Sequence, residues 1–296
     1  MGSITPPRYE GTVSIGRGRK LGVAEFGTPD GQAVMWFHGT PGARRQIPEE
    51  ARRLADQRGL RIVGIDRPGV GLSTAHQYHS VFDAVGDIET VADRLGLGRF
   101  STVGLSGGGP YALAAAAGLS DRVPSVGVLG GVVPSVGPDA PADGLVALAK
   151  RFSSVLPWIR HPSGFALTAL VRLAKPIGSP ALDLYARFSP PGDREVLSRP
   201  DVKEMFLDDL SSNGGRSMRA VVADGILFTR HWGFEPSEID VPVWWWHGDA
   251  DNIVPLSHAE ALVPLLRRGT LRVRAGESHL GGMGIATEVL DTVLRW

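Results

Sequence analysis

The sequence predicts an α/β protein: a mostly parallel sheet with helices on both faces. Three observations predict it. Short apolar runs alternate with helix-patterned segments along most of the 296 residues. The apolar run 100–105 enters the turn Gly104-Leu105-Ser106-Gly107-Gly108, and the small-residue stretch 110–117 leaves it, giving strand, tight turn and helix. Further on, Asp249 and Asp251 follow the apolar run 242–246, and His279 follows the run 270–275. Polar residues of three reactive types therefore sit just past strand ends.

The elements follow in order. Residues 1–10 read as a loose terminus. Segments 12–15 and 20–26 flank Gly16-Arg17-Gly18-Arg19 and read as an antiparallel hairpin. Strand 34–38 is followed by a helix over 49–57, with Gly59 as its stop. Strand 61–65 ends at Asp66. Val81, Val85, Ile88, Ala92 and Leu95 recur at helical spacing, and Gly96 closes that segment. Strand 125–129 comes after the small-residue helix. Beyond Trp246 a helix spans 257–267, and Ser257-x-x-Glu260 has the form of a capping box at its start. A strand from Thr270 and a closing helix to Trp296 complete the chain. Trp244, Trp245 and Trp246 lie in an apolar strand and read as core, with room for one to turn toward a site.

The alternation lapses between Pro134 and Ile239. Prolines 138, 141, 157, 162, 176, 180, 190, 191 and 200 interrupt helical pieces such as 145–156, 165–173 and 218–232. The reading is an inserted helical cap at 134–239, with the core formed by 1–133 and 240–296. A cap of this kind roofs a site and shapes its pocket.

Composition narrows the functional classes. Thirty-one basic residues balance 31 acidic ones, so nothing points to nucleic acid or an anionic membrane. With no cysteine, disulfides, a thiol nucleophile and cysteine-ligated zinc are excluded. Residues 1–10 carry no apolar signal region, and Pro6 stands where myristoylation needs Ser or Thr. The apolar run 123–136 is broken by Pro124, Gly127, Gly130, Gly131 and Pro134, so membrane insertion is not expected. The expectation is a cytoplasmic protein. Gly16-x-Gly18 lacks the third glycine of a dinucleotide turn, Gly107-Gly108-Gly109 lacks the Lys of a phosphate loop, and no HExxH occurs. No cofactor or metal is expected.

Ser106 at a tight turn is a candidate nucleophile. A hydroxyl needs a base within hydrogen-bond reach and a group to orient that base. The chain order serine, acid, histidine suits such an arrangement. His279 is the best candidate base. His247, at a strand end, reads as packing or a site-edge contact, and His258 as surface or structural; His76 and His79 lie in a loop-to-helix region that could reach a pocket, and packing is favoured over binding for His161 and His231. Asp251 and Asp249 both qualify as the acid. Glu277 lies too near His279 on one loop to orient it well.

These residues, with three further motifs, resemble the α/β-hydrolase superfamily and its capped serine enzymes from about residue 12 to 296. His38-Gly39-Thr40-Pro41-Gly42 is similar to the family's HGxPG loop. Asp66-Arg67-Pro68-Gly69-Val70-Gly71-Leu72-Ser73 is similar to its DxxGxGxS turn. Gly248-x-x-Asp251-x-x-Val254-Pro255 is similar to its acid loop. The resemblance implies an eight-stranded, mostly parallel sheet and favours Asp251 as the acid, leaving Asp249 to cap its loop. It implies an oxyanion hole from the backbone N–H groups of Thr40 and Gly107, with little expected of the Thr40 side chain. His38 becomes a buried organiser of its loop, and Asp66 and Arg67 take structural roles.

The implied activity is hydrolysis of a carboxylic ester of a small or medium hydrophobic molecule through an acyl-enzyme on Ser106, Asp251 and His279. Serine at the turn argues against the family's dehalogenases and epoxide hydrolases, which use aspartate there. An aminopeptidase of proline iminopeptidase type and a C–C hydrolase are alternatives on the same residues, and a perhydrolase-like side activity is compatible with them. The peptidase would need cap carboxylates for a free amine, and Glu195, Glu204, Asp208, Asp209 and Asp224 are available. Thr40 replaces the glycine usual in that enzyme. A small-ligand receptor or scaffold with little turnover is the alternative from another class.

Overall fold

The computed structural model describes residues 4–134, 178–212 and 219–296. Its centre is one eight-stranded sheet in the order β1-β2-β4-β3-β5-β6-β7-β8. The strands are β1 (Tyr9–Gly16), β2 (Arg19–Gly27), β3 (Gln32–Phe37), β4 (Leu60–Ile65), β5 (Phe100–Leu105), β6 (Val126–Leu129), β7 (Val243–Gly248) and β8 (Gly269–Arg274). β1 pairs with β2 and β2 with β4 antiparallel. Every other pairing is parallel. This is the α/β-hydrolase architecture that the sequence implied, with an inserted helical region between β6 and β7.

Alternation along each strand supplies both faces. In β3, Ala33, Met35 and Phe37 enter one core and Val34 and Trp36 the other. In β7, Trp245 goes to the first and Trp246 to the second, with the half-buried Trp244 packed beside it. Helices α2 (Ala84–Arg94), α3 (Gly109–Gly118) and α8 (Leu256–Leu262) cover the first face. Helices α1 (Glu49–Arg58) and α9 (Ala286–Val293) cover the second. α3 is buried from Gly109 to Ala116, and its alanines let it lie close to the sheet. Gly59 ends α1 with a left-handed φ of 63°, donating its N–H to Ala55 O.

Several expectations are corrected. Residues 4–10 are tied down: Tyr9 and Glu10 belong to β1, and Thr5 donates its N–H and hydroxyl to Glu49 at 2.9 and 2.7 Å. Ser257 is not a cap. α8 begins at Leu256 after Pro255, whose fixed φ suits the entry, and no side chain caps it. Pro264 then stops α8 five residues early in a short 3-10 turn, Val263–Leu265. The closing helix ends at Val293. Trp296 donates its indole N–H to Ser101 Oγ at 2.8 Å.

Between β6 and β7 the regular elements of the described residues are all helical: α4 (Gly178–Phe188), α5 (Pro191–Ser198), α6 (Pro200–Ser212), α7 (Arg219–Phe228) and a 3-10 turn, Pro236–Glu238. Pro191 and Pro200 start α5 and α6 rather than break them, because the first helical residue needs no N–H partner. The expected pieces 145–156 and 165–173 lie outside the described residues, as does His161. The piece 218–232 is α7, shorter at its C-terminal end.

α6 is anchored to the core through charge. Asp208 pairs with Arg45 and with fully buried Arg52, at 2.8 and 2.9 Å. Asp209 accepts the Ala43 and Arg45 N–H groups at 2.9 and 3.1 Å. Burial, with the nearby Asp66 charge, pushes the Asp209 carboxyl up to about 7, against the pull of those two N–H groups. Its native pKa lies above the ordinary 3.8, so the native state holds the proton. That stabilisation is complete below the unfolded value and drains away as pH rises through the native one, by roughly 1.4 kcal/mol per pH unit in between. The melting temperature of the wild type is therefore expected to fall relative to Asp209→Asn between about pH 5 and pH 8. Parallel melting curves across that range would contradict this.

Candidate active site

The site lies at the carboxyl ends of β5, β7 and β8. β5 delivers Ser106 at its end, and the chain turns at once into a 3-10 turn, Ser106–Gly108, and α3. Ser106 has φ 49°, a left-handed conformation that costs a non-glycine residue about 1–2 kcal/mol. The turn closes because its glycines leave no Cβ. At Gly104 a Cβ would stand 2.5 Å from Gly108 O, and at Gly108 it would stand 2.2 Å from Phe37 O. At Gly107 it would meet Thr40 Oγ1 at 2.4 Å.

The structure brings Ser106, His279 and Asp251 together. His279 Nε2 lies 2.9 Å from Ser106 Oγ, and Nδ1 lies 2.8 Å from Asp251 Oδ2. Nδ1–H donating to the carboxylate leaves Nε2 free to accept the hydroxyl proton. Asp251 follows β7, and its Oδ1 accepts the Ile253 and Val254 N–H groups at 2.9 Å each. Burial alone would push this carboxyl up. Hydrogen bonds from His247, His279 and the Val254 N–H, with the His279 charge, outweigh burial and hold it well below the usual carboxylate range.

His247 does more than pack. Trp245 Nε1–H donates to its Nδ1 at 3.1 Å, so Nε2 carries the proton. Nε2 reaches Val254 O at 2.7 Å and stands 3.3 Å from Asp251 Oδ2. The acid loop is thus pinned from beneath. Asp249 is exposed and accepts the Gly276 N–H at 2.8 Å, which fastens the histidine loop. Glu277 turns to Arg274 at 2.8 Å. His258 is buried, while His76, His79 and His231 are exposed, and His231 meets Glu235 at 2.9 Å.

Thr40 lies in the loop after β3, and its hydroxyl is not idle. Oγ1 accepts from Arg67 at 2.6 Å and donates to Asp224 Oδ2 at 3.2 Å. His38 is buried; its Nδ1 donates to Gly39 O at 2.7 Å, and its Nε2 accepts the Arg67 N–H at 3.3 Å. Burial, helped by the Arg67 charge, holds His38 neutral, well below the ordinary imidazole range. Asp66 is fully buried and accepts the N–H groups of Arg44 and Leu72 at 2.7 and 2.9 Å, which shapes the 66–73 turn.

Asp193 had no signal in the sequence. At the start of α5, it accepts the Leu280 N–H at 2.7 Å, next to His279. Its Oδ2 is buried with no hydrogen-bond partner among the described residues. Burial pushes this carboxyl up against the pull of Leu280 N–H and the His279 charge, and the Asp251 charge adds to the rise. Gly192 allows the approach, since a Cβ there would lie 2.8 Å from both Gly276 O and Ser278 N.

Comparison with known proteins bears on the fold. A family profile described as "alpha/beta hydrolase fold" matches residues 32–161. A proline iminopeptidase of Neisseria gonorrhoeae is 34% identical over 128 residues, which span 42% of this chain but only 40% of that enzyme. A non-heme haloperoxidase of Rhodococcus erythropolis is 27% identical over 286 residues, covering 95% of both chains. The solved structure of an esterase from Exiguobacterium antarcticum superposes with a TM-score of 0.66 at 19% identity, covering 100% of each chain, and at that identity shows a shared fold. The chain has the α/β-hydrolase fold, and over about two fifths of its length it is similar in sequence to proline iminopeptidases.

The turn at Ser106 offers a direct check. Gly108→Ala would drive a methyl into Phe37 O and to 2.7 Å from His38 O, both backbone atoms that cannot swing aside. The expected loss in urea denaturation is about 3 kcal/mol, the upper part of the range for overpacking. An unchanged midpoint would mean that β3 and the turn are not so tightly apposed.

Proposed function

We propose that the chain is a serine hydrolase that cleaves a carboxylic ester of a small or medium hydrophobic molecule through an acyl-enzyme. The observation that carries this reading is the continuous array Ser106 Oγ, His279, Asp251, at 2.9 and 2.8 Å. In this reading His279 takes the Ser106 proton as Oγ attacks the ester carbonyl. The Thr40 and Gly107 N–H groups receive the oxyanion. His279 then protonates the leaving alkoxide, and water activated by the same imidazole releases the acid. Asp251 stays ionised, fixes the tautomer and stabilises the imidazolium.

An aminopeptidase is the second reading, favoured by the 34% identity to a proline iminopeptidase. It would need a free carboxylate to grip an amine. Three candidates are already engaged: Asp208 by Arg45 and Arg52, Asp209 by two N–H groups, and Asp224 by Arg67. Glu195 is exposed and Glu204 half-buried. The ester reading makes no such demand.

A fluorophosphonate probe is expected to label the wild type stoichiometrically on Ser106, located by peptide mass spectrometry, and to leave Ser106→Ala unlabelled. Asp251→Asn, which favours the wrong histidine tautomer, is expected to lower kcat on a p-nitrophenyl ester by about 10⁴. A folded wild type that neither labels nor turns over esters would point to a binding protein. Faster turnover of prolyl arylamides than of esters would favour the peptidase.

A further inference from the structure

Arg67 is spent on the backbone of the loop that carries Thr40. One guanidinium nitrogen donates to His38 O; another donates to Gly39 O at 2.9 Å and to Thr40 Oγ1 at 2.6 Å. Gly39 C=O and Thr40 N–H are the two ends of a single planar peptide unit. Fixing the oxygen therefore fixes the direction of the N–H. Gly39 O also accepts from His38 Nδ1 at 2.7 Å. Two donors on that oxygen, one of them cationic, polarise the amide and make its N–H a better donor.

The charge that holds Arg67 in place comes from the inserted region. Asp224 on α7 meets Arg67 Nε and the terminal nitrogen at 2.9 Å. Its other oxygen accepts the Tyr111 hydroxyl at 3.0 Å, and the Arg67 guanidinium stands 5.2 Å from the Tyr111 ring centroid. Arg67, Tyr111 and Asp224 are all buried. α7 also packs Ala220 against Ala43 and Val70, so it is seated on the same loop by apolar contact.

We propose that Asp224 is a positioning residue for the oxyanion donor Thr40 N–H, acting through Arg67, so that the hole is aligned only when α7 is docked. The inference rests on the serine-hydrolase reading above. Its logic is electrostatic and directional. Without Asp224, the guanidinium loses its buried counter-charge, relaxes toward water and releases the His38 and Gly39 carbonyls that precede the donor. Lysine cannot replace Arg67, because an ammonium cannot present the planar fork that reaches His38 O, Gly39 O and Asp224 together.

The test compares Asp224→Asn, Arg67→Lys and Glu25→Gln with the wild type. Glu25→Gln breaks another buried ion pair, with Arg8 and Arg61, at 2.8 Å each. Each protein is assayed on p-nitrophenyl butyrate well below its own melting temperature, and the inhibition constant of an alkyl boronic acid is measured as a tetrahedral-anion probe. Asp224→Asn and Arg67→Lys are expected to lose about 10- to 100-fold in kcat, with KM nearly unchanged and boronate affinity falling by a similar factor. Glu25→Gln is expected to melt lower yet keep kcat and boronate affinity. If Asp224→Asn melts lower but keeps kcat, like Glu25→Gln, then Asp224 is only a strut and the inference is overturned alone. A folded wild type without ester turnover would overturn the underlying reading, and the inference with it.

Discussion

Keeping one buried carboxylate charged is the constraint on which the carboxyl edge of the sheet depends. Asp251 is out of water, and burial works against its charge. Four donors offset that cost: two N–H groups of its own loop, His279, and His247 from the end of β7. His247 can donate because Trp245 occupies its other nitrogen. The chain of dependence therefore runs from an indole in the core, through one histidine, to the acid, and from there to His279 and Ser106. A buried polar network is stable only when every member has a partner, and this one reaches the sheet interior to find them.

A second group of aspartates joins the inserted helices to the core. Asp193 accepts an N–H of the histidine loop, Asp209 accepts two from the loop after β3, and Asp224 holds Arg67 against that loop. Asp193 and Asp209 take up backbone N–H groups that would otherwise be unpaired in a buried place, and Asp224 takes up the side-chain donors of Arg67, Tyr111 and Thr40. The inserted region thus supplies hydrogen-bond acceptors as well as apolar cover.

The sequence was most legible where backbone geometry demands particular residue types. The turn around Ser106 needs glycine at 104 and 108, the strands of a sheet covered on both faces need continuous apolar runs, and both demands leave plain patterns. Asp251 was distinguishable from Asp249 through its loop frame. Legibility failed where partners are remote in the chain. Asp193 lies 87 residues from Leu280, and Asp224 lies 157 from Arg67, so no local pattern marks either pairing. Asp224 was visible only as a loose carboxylate, and Arg67 only as part of a turn. Ser257 misled because a capping box is a local pattern, and Pro255 set the helix start one residue before it. The prolines at 191 and 200 misled in the other direction, since they open helices as readily as they end them.

The placing of these acceptors bears on how such a protein can change. A roof attached by greasy contact alone could be trimmed or exchanged with little effect on the floor beneath it. Here the exchange would strip a counter-ion from Arg67 and acceptors from the Ala43, Arg45 and Leu280 amides. Substitutions between the three aspartates leave these contacts to the core intact, whereas shifting the helices that carry the aspartates breaks them.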